Sequence, residues 1–399
     1  LFDCGEGTQI QAMKSERFTL SSVTTIFITH MHGDHVFGLF GVLCEMQMIA
    51  LDLAKTIGQH PRNIKPFKVY GPPGIADYLK VLMTTATGGK GPLVDICELV
   101  QSTPKPPYSQ GNMRVRQLQC DRNGVWQVVQ DQSESPKTVK AVLMPHKSEM
   151  STFAYVLEED KVLGTLDVER LNKMGIPPGP IFKELKKGKV VTLPNGKTID
   201  GKDFLGPSTP GRKLAIILDT YDSSTALHLA KDADLVIHDS TFHSDMAKEA
   251  YGKGHSTAEQ AGLFARDAGA HNLALTHFSN RYVYETNHVI NAIGVDVHVD
   301  EAVEAFESDR VVAAEDFMSI PIIRESGKRL LAEAKDAQRR AEAMIKEEIK
   351  MAEMEDRAVK NPKEAEEGEK QTKAQKKGGR RNGKGVGKRV DLRSRIESL

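Results

Sequence analysis

One six-residue segment constrains this chain more than any other: residues 30–35 read H-M-H-G-D-H. The segment follows a short apolar run at residues 26–28 and precedes a stretch with helical periodicity. Three imidazoles and one carboxylate in so short a turn can face two metal ions that lie close together. Nitrogen and oxygen donors without a thiolate favour Zn(II), with Mn(II) or Fe(II) as alternatives. The segment predicts a dinuclear hydrolase and leaves the substrate open.

Further candidate ligands share a second pattern, because each of them stands where a predicted strand ends. These are His146, Asp219 and His277, which follow the apolar runs 139–144, 214–218 and 272–276. Strand ends meet at one edge of a sheet, which is where α/β folds build their sites. Each residue taken alone fits an ordinary turn, but together with the six-residue segment the three complete two sets of metal ligands.

The alternation of apolar runs and helical stretches predicts one α/β domain over residues 1–323. Within it, residues 101–137 are polar and predict a long loop or hairpin. Residues 164–212 are rich in Gly, Pro and Lys and predict an extended arm inserted into the domain. Beyond the domain, residues 324–359 predict a charged helix and residues 360–399 a disordered basic tail. Three readings of this tail stay open: it binds RNA without specificity, acts as a nuclear address, or is simply solvated.

Charge and cysteine usage exclude some classes of protein. The chain has 54 basic and 54 acidic residues, so it is not uniformly basic as a coat protein for nucleic acid would be. The most apolar stretch, residues 37–54, contains Glu45, Gln47 and Asp52, and we therefore predict no membrane span. The four cysteines form no C-x-x-C pair, which favours a reducing, intracellular compartment.

The first residues read as the end of a buried strand, so we expect that the natural N-terminus and any targeting signal precede Leu1. Nucleus, cytoplasm, mitochondrion and plastid all stay open as compartments. Later in the chain, the tetrapeptide S-T-A-E at residues 256–259 predicts the capping box of a helix that ends at Gly269.

Three segments together resemble the tRNase Z family of tRNA 3′-processing endoribonucleases, which belongs to the metallo-β-lactamase superfamily. They are D-C-G-E-G-T-Q at residues 3–9, H-M-H-G-D-H at residues 30–35 and T-H-F-S-N-R-Y at residues 276–282. The H-x-H-x-D-H pattern is common to the superfamily, whereas the other two segments are much more specific. The resemblance extends to about residue 323. It implies an αββα sandwich of two mixed sheets, with the first strands of the fold missing from this chain.

The resemblance also implies two zinc ions per chain and a role for each candidate residue. His30, His32 and His146 would hold one zinc, Asp34, His35 and His277 the other, and Asp219 would bridge them. Asp3 would orient a histidine ligand, and Asp34 would take a proton from the attacking water. Asp239 and His255 match the carboxylate–histidine pair that the family uses as proton donor. The family usually has glutamate at the position of Asp239, and we expect the shorter side chain to lengthen its hydrogen bond to His255.

The function implied is a zinc-dependent endonuclease that removes the 3′ trailer from precursor tRNA and leaves a 3′-hydroxyl on the tRNA. Residues 164–212 resemble the arm with which the family grips tRNA, and family members often form homodimers. Candidate RNA contacts are Lys183, Lys186, Lys187, Lys189 and Arg281. Two alternatives stay open: another hydrolase of the same fold, acting on a small phosphodiester or thioester, and an inactive RNA-binding relative.

Overall fold

The computed structural model describes residues 1–130, 138–148, 150–193, 196–284 and 293–323. The charged helix and the basic tail predicted for residues 324–359 and 360–399 lie outside the described residues. The limits predicted for the catalytic domain therefore stay a prediction.

The strands, numbered in chain order, are β1 Thr25–Phe27, β2 Phe67–Gly71, β3 Val94–Val100, β4 Tyr108–Gln110, β5 Met113–Gln119, β6 Val125–Gln130, β7 Thr138–Met144, β8 Thr152–Glu158, β9 Val190–Thr192, β10 Thr198–Asp200, β11 Lys213–Ile217, β12 Leu235–Asp239, β13 Leu273–Thr276, β14 Tyr282–Val283, β15 Ile293–Gly294 and β16 Val311–Ala313. Four of them coincide with the apolar runs named in the sequence analysis: β1, β7, β11 and β13.

The helices are α1 Thr8–Lys14, α2 Gly33–Val36, α3 Leu39–Thr56, α4 Ile75–Thr87, α5 Val168–Lys173, α6 Pro180–Lys186, α7 Leu227–Ala230, α8 Ala247–Lys253, α9 Ala258–Asp267 and α10 Asp296–Phe306. Single 3₁₀ turns occur at Leu20–Ser22, Pro61–Asn63, Gly201–Phe204, Ser224–Ala226 and Ser244–Met246.

Twelve of the strands form two mixed sheets that pack face to face, while β9 with β10 and β14 with β15 form two small two-stranded sheets. The first mixed sheet has the order β1-β2-β3-β5-β4 and the second the order β16-β13-β12-β11-β8-β7-β6. Aromatic side chains fill the space between them: Phe27 and Tyr70 of the first sheet share a cluster with Trp126, Phe153 and Tyr155 of the second. Helices α3 and α4 cover the outer face of the first sheet, and α7, α9 and α10 cover that of the second. This four-layer αββα sandwich is the fold implied by the resemblance.

Strand direction brings the candidate ligands to one edge. β11, β12 and β13 are parallel neighbours, and β7 runs in the same direction because it is antiparallel to β8, which is antiparallel to β11. The carboxyl ends of these four strands therefore lie together. In the first sheet, residues 1–3 pair in parallel beside β1, with the amide of Asp3 donating to the carbonyl of Phe27 at 2.8 Å.

Helix α3 is the most apolar helical element. Together with α2 it forms the stretch Gly33–Thr56, which by length and hydropathy alone is long and apolar enough to cross a membrane. Here Leu39, Val42 and Leu43 pack in the core of the first sheet, as in an internal helix of a folded domain. The predicted absence of a membrane span stays a prediction.

Three local predictions need correction. Residues 101–137 do contain the β4–β5 hairpin, but β5 and β6 also extend the two main sheets, and Trp126 is buried between them. The arm has a hydrophobic cluster of its own, around Leu171, Leu185 and Phe204. Helix α9 ends where Gly269 predicted, but its capping box consists of Thr257 and Gln260 rather than residues 256 and 259.

Candidate metal centre

Residues 30–35 comprise the end of the loop after β1 and the first three residues of α2, and the segment at residues 3–9 packs against them. The amide of Cys4 donates to the carbonyl of His35 at 2.7 Å, and the amide of Gly38 donates to the carbonyl of Cys4 at 2.8 Å. A side chain at Gly5 would collide with the carbonyl oxygen of Asp34. Glycine is therefore required there, because the two backbones touch. The contact explains why both sequence segments occur together.

The first group of imidazoles consists of His30, His32 and His146. The Nε2 atom of His30 lies 2.8 Å from Nδ1 of His32, and Nε2 of His146 lies 3.3 Å from the same atom. All three nitrogens point to a common position, with one carboxylate oxygen of Asp219 nearby. Three imidazoles and one carboxylate in this arrangement can hold one metal ion.

The second group consists of Asp34, His35 and His277. The Oδ2 atom of Asp34 lies 3.6 Å from Nε2 of His35 and 3.5 Å from Nε2 of His277. The side chain of Asp34 is 66% exposed, whereas His35 is buried, so this group opens to solvent on one side. The structure thus brings together all six residues that the sequence placed in the two groups.

Asp219 stands between the groups and turns one oxygen toward each. Its Oδ2 atom lies 3.6 Å from Nε2 of His30, and its Oδ1 atom lies 3.3 Å from Nε2 of His35 and 3.4 Å from Nε2 of His277. Oδ1 of Asp219 and Nε2 of His35 are buried, yet neither makes a hydrogen bond of ordinary geometry. Buried polar atoms that lack such partners are expensive. A cation placed between them could satisfy both atoms.

Backbone strain is concentrated at this site. Asp3, Asp219 and His277 have positive φ angles of 48°, 40° and 63°. Non-glycine residues seldom adopt this left-handed conformation, and it persists where the surrounding structure enforces it. Each strained residue lies just after a strand or strand end, where the sharp turn directs its side chain into the cluster.

The two groups differ in their proton affinity. Burial lowers the pKa of His30 to about 3 and also lowers the pKa of His32 and His146, so these rings are neutral and able to bind a metal. Burial also opposes protonation of His35, but the nearby carboxylates of Asp219 and Asp3 outweigh it and raise its pKa to about 10. A metal ion at the second group must displace that proton.

Two of these imidazoles, those of His35 and His146, are oriented by a partner on the side away from the cluster. Oδ2 of Asp3 lies 2.6 Å from Nδ1 of His35 and also accepts from the hydroxyl of Thr29. The carbonyl of Gly254 lies 2.7 Å from Nδ1 of His146, and a side chain at Gly254 would collide with that ring. Such partners fix the tautomer and direction of a metal-binding histidine. Asp3 was predicted from the resemblance; the carbonyl of Gly254 was not, since a backbone acceptor has no sequence signature.

Thr241 joins the metal cluster to a neighbouring acid. Its hydroxyl group lies 3.0 Å from Nδ1 of His277 and donates to Oδ1 of Asp239 at 2.6 Å. Asp239 is fully buried, and its Oδ2 atom lies 3.1 Å from Nδ1 of His255. His255 in turn stacks on His277 with ring centroids 5.2 Å apart. The predicted carboxylate–histidine pair therefore lies directly beside the second group.

The predicted RNA contacts lie in two places. Lys183 and Lys186 are exposed on α6, whereas Lys187 and Lys189 pair with Glu184 at 3.0 and 2.7 Å and lower the pKa of that carboxyl to about 2. In the described part of the chain, Lys183 and Lys186 have no acidic partner within ion-pair distance.

Arg281 lies beside α8 rather than at the metal-ligand cluster itself. It donates to Glu249 at 3.1 Å and covers the ring of Phe242. Its charge is thus already balanced by a carboxylate of α8, unlike the charges of the two exposed lysines of the arm.

The chain is similar to curated proteins over most of its length. It is 36% identical to ribonuclease BN of Cronobacter sakazakii over 71% of this chain and 80% of that protein. It is likewise 36% identical to ribonuclease Z of Rippkaea orientalis, over 81% and 88% of the two chains. The crystal structure of the short form of human tRNase Z aligns over 81% of this chain and 87% of that one, with 26% identity and a TM-score of 0.49. A family model described as anti-Pycsar protein Apyc1 matches residues 1–56.

Proposed function

The chain belongs to the ribonuclease Z family, and from this premise and the geometry of its site we infer that it is an endoribonuclease that processes the 3′ end of tRNA. The assignment to a hydrolytic centre rests on the position of Asp219, whose carboxylate turns one oxygen toward each of two histidine-rich groups. The Apyc1 match covers the superfamily segment at residues 30–35 but stops before the arm and the T-H-F-S-N-R-Y segment.

We propose that the centre holds two zinc ions, one at each group, with Asp219 shared. The donor set of nitrogen and carboxylate oxygen suits zinc, and the unsatisfied buried atoms of His35 and Asp219 fit a bound cation. Two such ions would supply a hydroxide nucleophile at neutral pH and neutralise the charge that develops on the phosphate. His30, His32 and His146 would hold the first ion and Asp34, His35 and His277 the second.

The protein's own groups would handle the protons. Asp34 is exposed toward the substrate side, so its carboxylate can orient the attacking water and accept a proton from it. On the other side, His255 would donate a proton to the leaving 3′ oxygen of the tRNA. Asp239 would hold Nδ1 of His255 and favour the charged ring. The products would be a tRNA with a 3′-hydroxyl and a trailer with a 5′-phosphate.

The arm would hold the tRNA at a distance from the cut. Its hydrophobic cluster makes it a small folded unit, and α6 presents Lys183 and Lys186, which have no acidic partner among the residues that the structure describes. Phosphate contacts of this kind position an RNA without reading its sequence. A small phosphodiester or thioester would gain nothing from such a grip, which favours precursor tRNA over those substrates.

We also propose a homodimer. Ile10 and Met13 on α1 and Met48 on α3 are 60%, 70% and 63% exposed, and a hydrogen bond from Gln9 to Glu45 at 3.3 Å joins these two helices. An exposed apolar surface of this kind is covered in many proteins by a second copy. Met48→Glu should shift the protein toward monomer in analytical ultracentrifugation, while Val81→Glu on α4, which changes a similarly exposed side chain, should not.

The function is tested by comparing precursor tRNA with bis(p-nitrophenyl) phosphate and a thioester as substrates. We expect cleavage of precursor tRNA at the 3′ end of the tRNA to be strongly preferred. His32→Ala and Asp34→Ala should abolish cleavage and leave tRNA binding largely intact, because neither residue belongs to the arm. Wild-type cleavage by either variant in chelator-treated buffer would refute the metal assignment, and an inactive, metal-free wild-type protein would favour the non-catalytic alternative.

A further inference from the structure

A groove of about 740 Å³ opens directly beside the metal-ligand cluster. Asp34 and Thr276 form its inner end, next to the second group. Its outer part is bordered by Arg17 and Phe18 after α1, and by Phe317 and Met318 in the segment after β16. His255 and Asp239 do not line it. The groove therefore reaches the cluster at Asp34 and not at the predicted proton donor.

Phe317 is held in this groove by a strained turn. Its φ angle is 63°, a left-handed conformation that is a clear outlier for a bulky residue. The amide of Met318 donates to the carbonyl of Glu315 at 3.1 Å and closes the turn, in which Phe317 takes the position normally given to glycine. Gln11 donates to Asp316 at 3.0 Å and ties the turn to α1. The chain thus maintains an unfavourable backbone to present this side chain.

The ring of Phe317 is available to a ligand. Its side chain is 53% exposed, and it contacts no other aromatic ring among the described residues. The other two aromatic residues of the groove are already engaged: Phe2 stacks on Phe27 with centroids 5.0 Å apart, and Phe18 packs against the core of the first sheet. An exposed ring that ends a groove at a nuclease centre suits the face of an unpaired base.

The charged residues of the groove do not by themselves favour an RNA chain. Arg17 can contact a phosphate, but Glu6 and Asp316 also border the groove and repel one. An RNA chain in the groove must therefore be held mainly by stacking, which depends little on charge.

The structure assigns this groove to the first unpaired nucleotides of the 3′ trailer, one base of which stacks on Phe317; the assignment rests on the proposed function. The leaving 3′ oxygen belongs to the last tRNA nucleotide, which must lie on the side of His255 to receive its proton. The nucleotide on the other side of the cut phosphate, the first of the trailer, then lies in the groove beside Asp34. Phe317 is accordingly a substrate-binding residue that acts on the trailer and not on the tRNA body.

The test measures kcat and KM on precursor tRNAs with a short trailer that is either intact or abasic at its first, second or third position. On the intact trailer, Phe317→Ala should raise KM roughly five- to 100-fold, the range that one stacked base gives. Phe317→Trp should keep a low KM. On a trailer that lacks the stacked base, wild type and Phe317→Ala should have the same KM. Tyr108→Ala, which removes a ring of 45% exposure outside the groove, should leave KM unchanged on every substrate.

A further variant separates stacking from folding. Phe317→Gly relieves the positive φ angle, so it should be at least as stable as wild type in urea and still have the raised KM. An unchanged KM for Phe317→Ala overturns the inference while the wild type still cleaves precursor tRNA. A raised KM of Phe317→Ala that persists on every abasic trailer overturns the inference as well. So does a raised KM that disappears only when the last tRNA nucleotide is made abasic. Failure of the wild type to cleave any precursor tRNA overturns the proposed function together with it.

Discussion

The Nδ1 atom of His255 lies 3.1 Å from the Oδ2 atom of Asp239, which is fully buried at the end of β12. The shorter aspartate was expected to lengthen this hydrogen bond, but the distance is within the ordinary range. The backbone explains this, because Asp239 also accepts from the amides of Thr220 and Ser256 and from Thr241. The carboxylate is fixed on both oxygens, and the ring of His255 is oriented with it.

Asp219 should control both metal ions at once, because its two oxygens face different groups. We expect Asp219→Ala to lose most of the bound zinc, against about two ions per chain in the wild type, as in known two-metal sites. His277→Ala removes a ligand from one group and should retain about half of the metal. Zinc is measured by mass spectrometry on desalted protein. Equal zinc content in the two variants would contradict the shared carboxylate.

Lys183 and Lys186 should account for more of the tRNA affinity than other exposed lysines. Their double replacement by alanine should weaken binding of precursor tRNA and reduce the slope of log affinity against log salt by roughly one to two. Hydrolysis of a small phosphodiester should not change. The matched control is the double variant Lys55→Ala and Lys80→Ala, which removes the same charge from helices α3 and α4. If both double variants lost the same amount of affinity for precursor tRNA, the effect would be one of general charge and not of contacts made by the arm.

The buried His298 should make stability fall in mild acid. Burial lowers its pKa to about 4, and the neighbouring His243 lowers it further while Asp245 opposes this. Between pH 6.5 and 4 the unfolded chain binds a proton at this residue that the folded chain does not, so folding becomes less favourable as pH falls. We expect a loss of up to about 2 kcal/mol from this residue.

His298→Asn is the matched variant for that prediction, since an amide can still bond to Ser240, the partner of Nδ1 of His298 at 2.9 Å. Urea unfolding of both proteins at pH 7 and pH 5 cancels the contributions of all other groups. The wild type should lose more stability than the variant across this interval. The same loss in both proteins would show that His298 does not titrate as its burial requires.

Local patterns predicted the parts of the site that a single segment determines. Residues 30–35 were recognisable because all four donors lie in one turn, and His146, Asp219 and His277 because each follows an apolar strand. The parts that no short pattern predicts are contacts between distant segments. The carbonyl of Gly254 meets a histidine 108 positions earlier, and Phe317 and Asp34 line the same groove although they lie far apart in the sequence.

The misplaced capping box shows how the site overrides local preference. Ser256 has the sequence context of a cap, but its hydroxyl donates to the carbonyl of Thr220 at 2.5 Å and its amide donates to Asp239. The helix therefore begins one residue later, at Thr257, whose hydroxyl accepts from the amide of Gln260. The side chain of Ser256 is therefore hydrogen-bonded within the polar cluster at the metal centre and is not free to cap helix α9.

His255 should be the proton donor of the cleavage step. We expect His255→Ala to slow single-turnover cleavage by roughly 10²–10⁴-fold, the usual contribution of a general acid. Zinc content should stay that of the wild type, because Asp34, His35 and His277 complete the second group without it. Asp239→Glu should also be slower, since the longer side chain cannot keep all the hydrogen bonds of a fully buried carboxylate.

The competing explanation is that His255 only precedes helix α9, which Thr257 already caps. In that case His255→Ala would lower stability slightly and leave the rate per folded molecule near that of the wild type. The pH–rate profile decides between them, because loss of a general acid removes the fall in rate at high pH as well as lowering the rate. Bis(p-nitrophenyl) phosphate releases p-nitrophenolate, a leaving group that needs no proton. His255→Ala should therefore cleave this substrate almost as fast as the wild type does. If that substrate and precursor tRNA are slowed equally, His255 acts by shaping the centre and not by donating a proton.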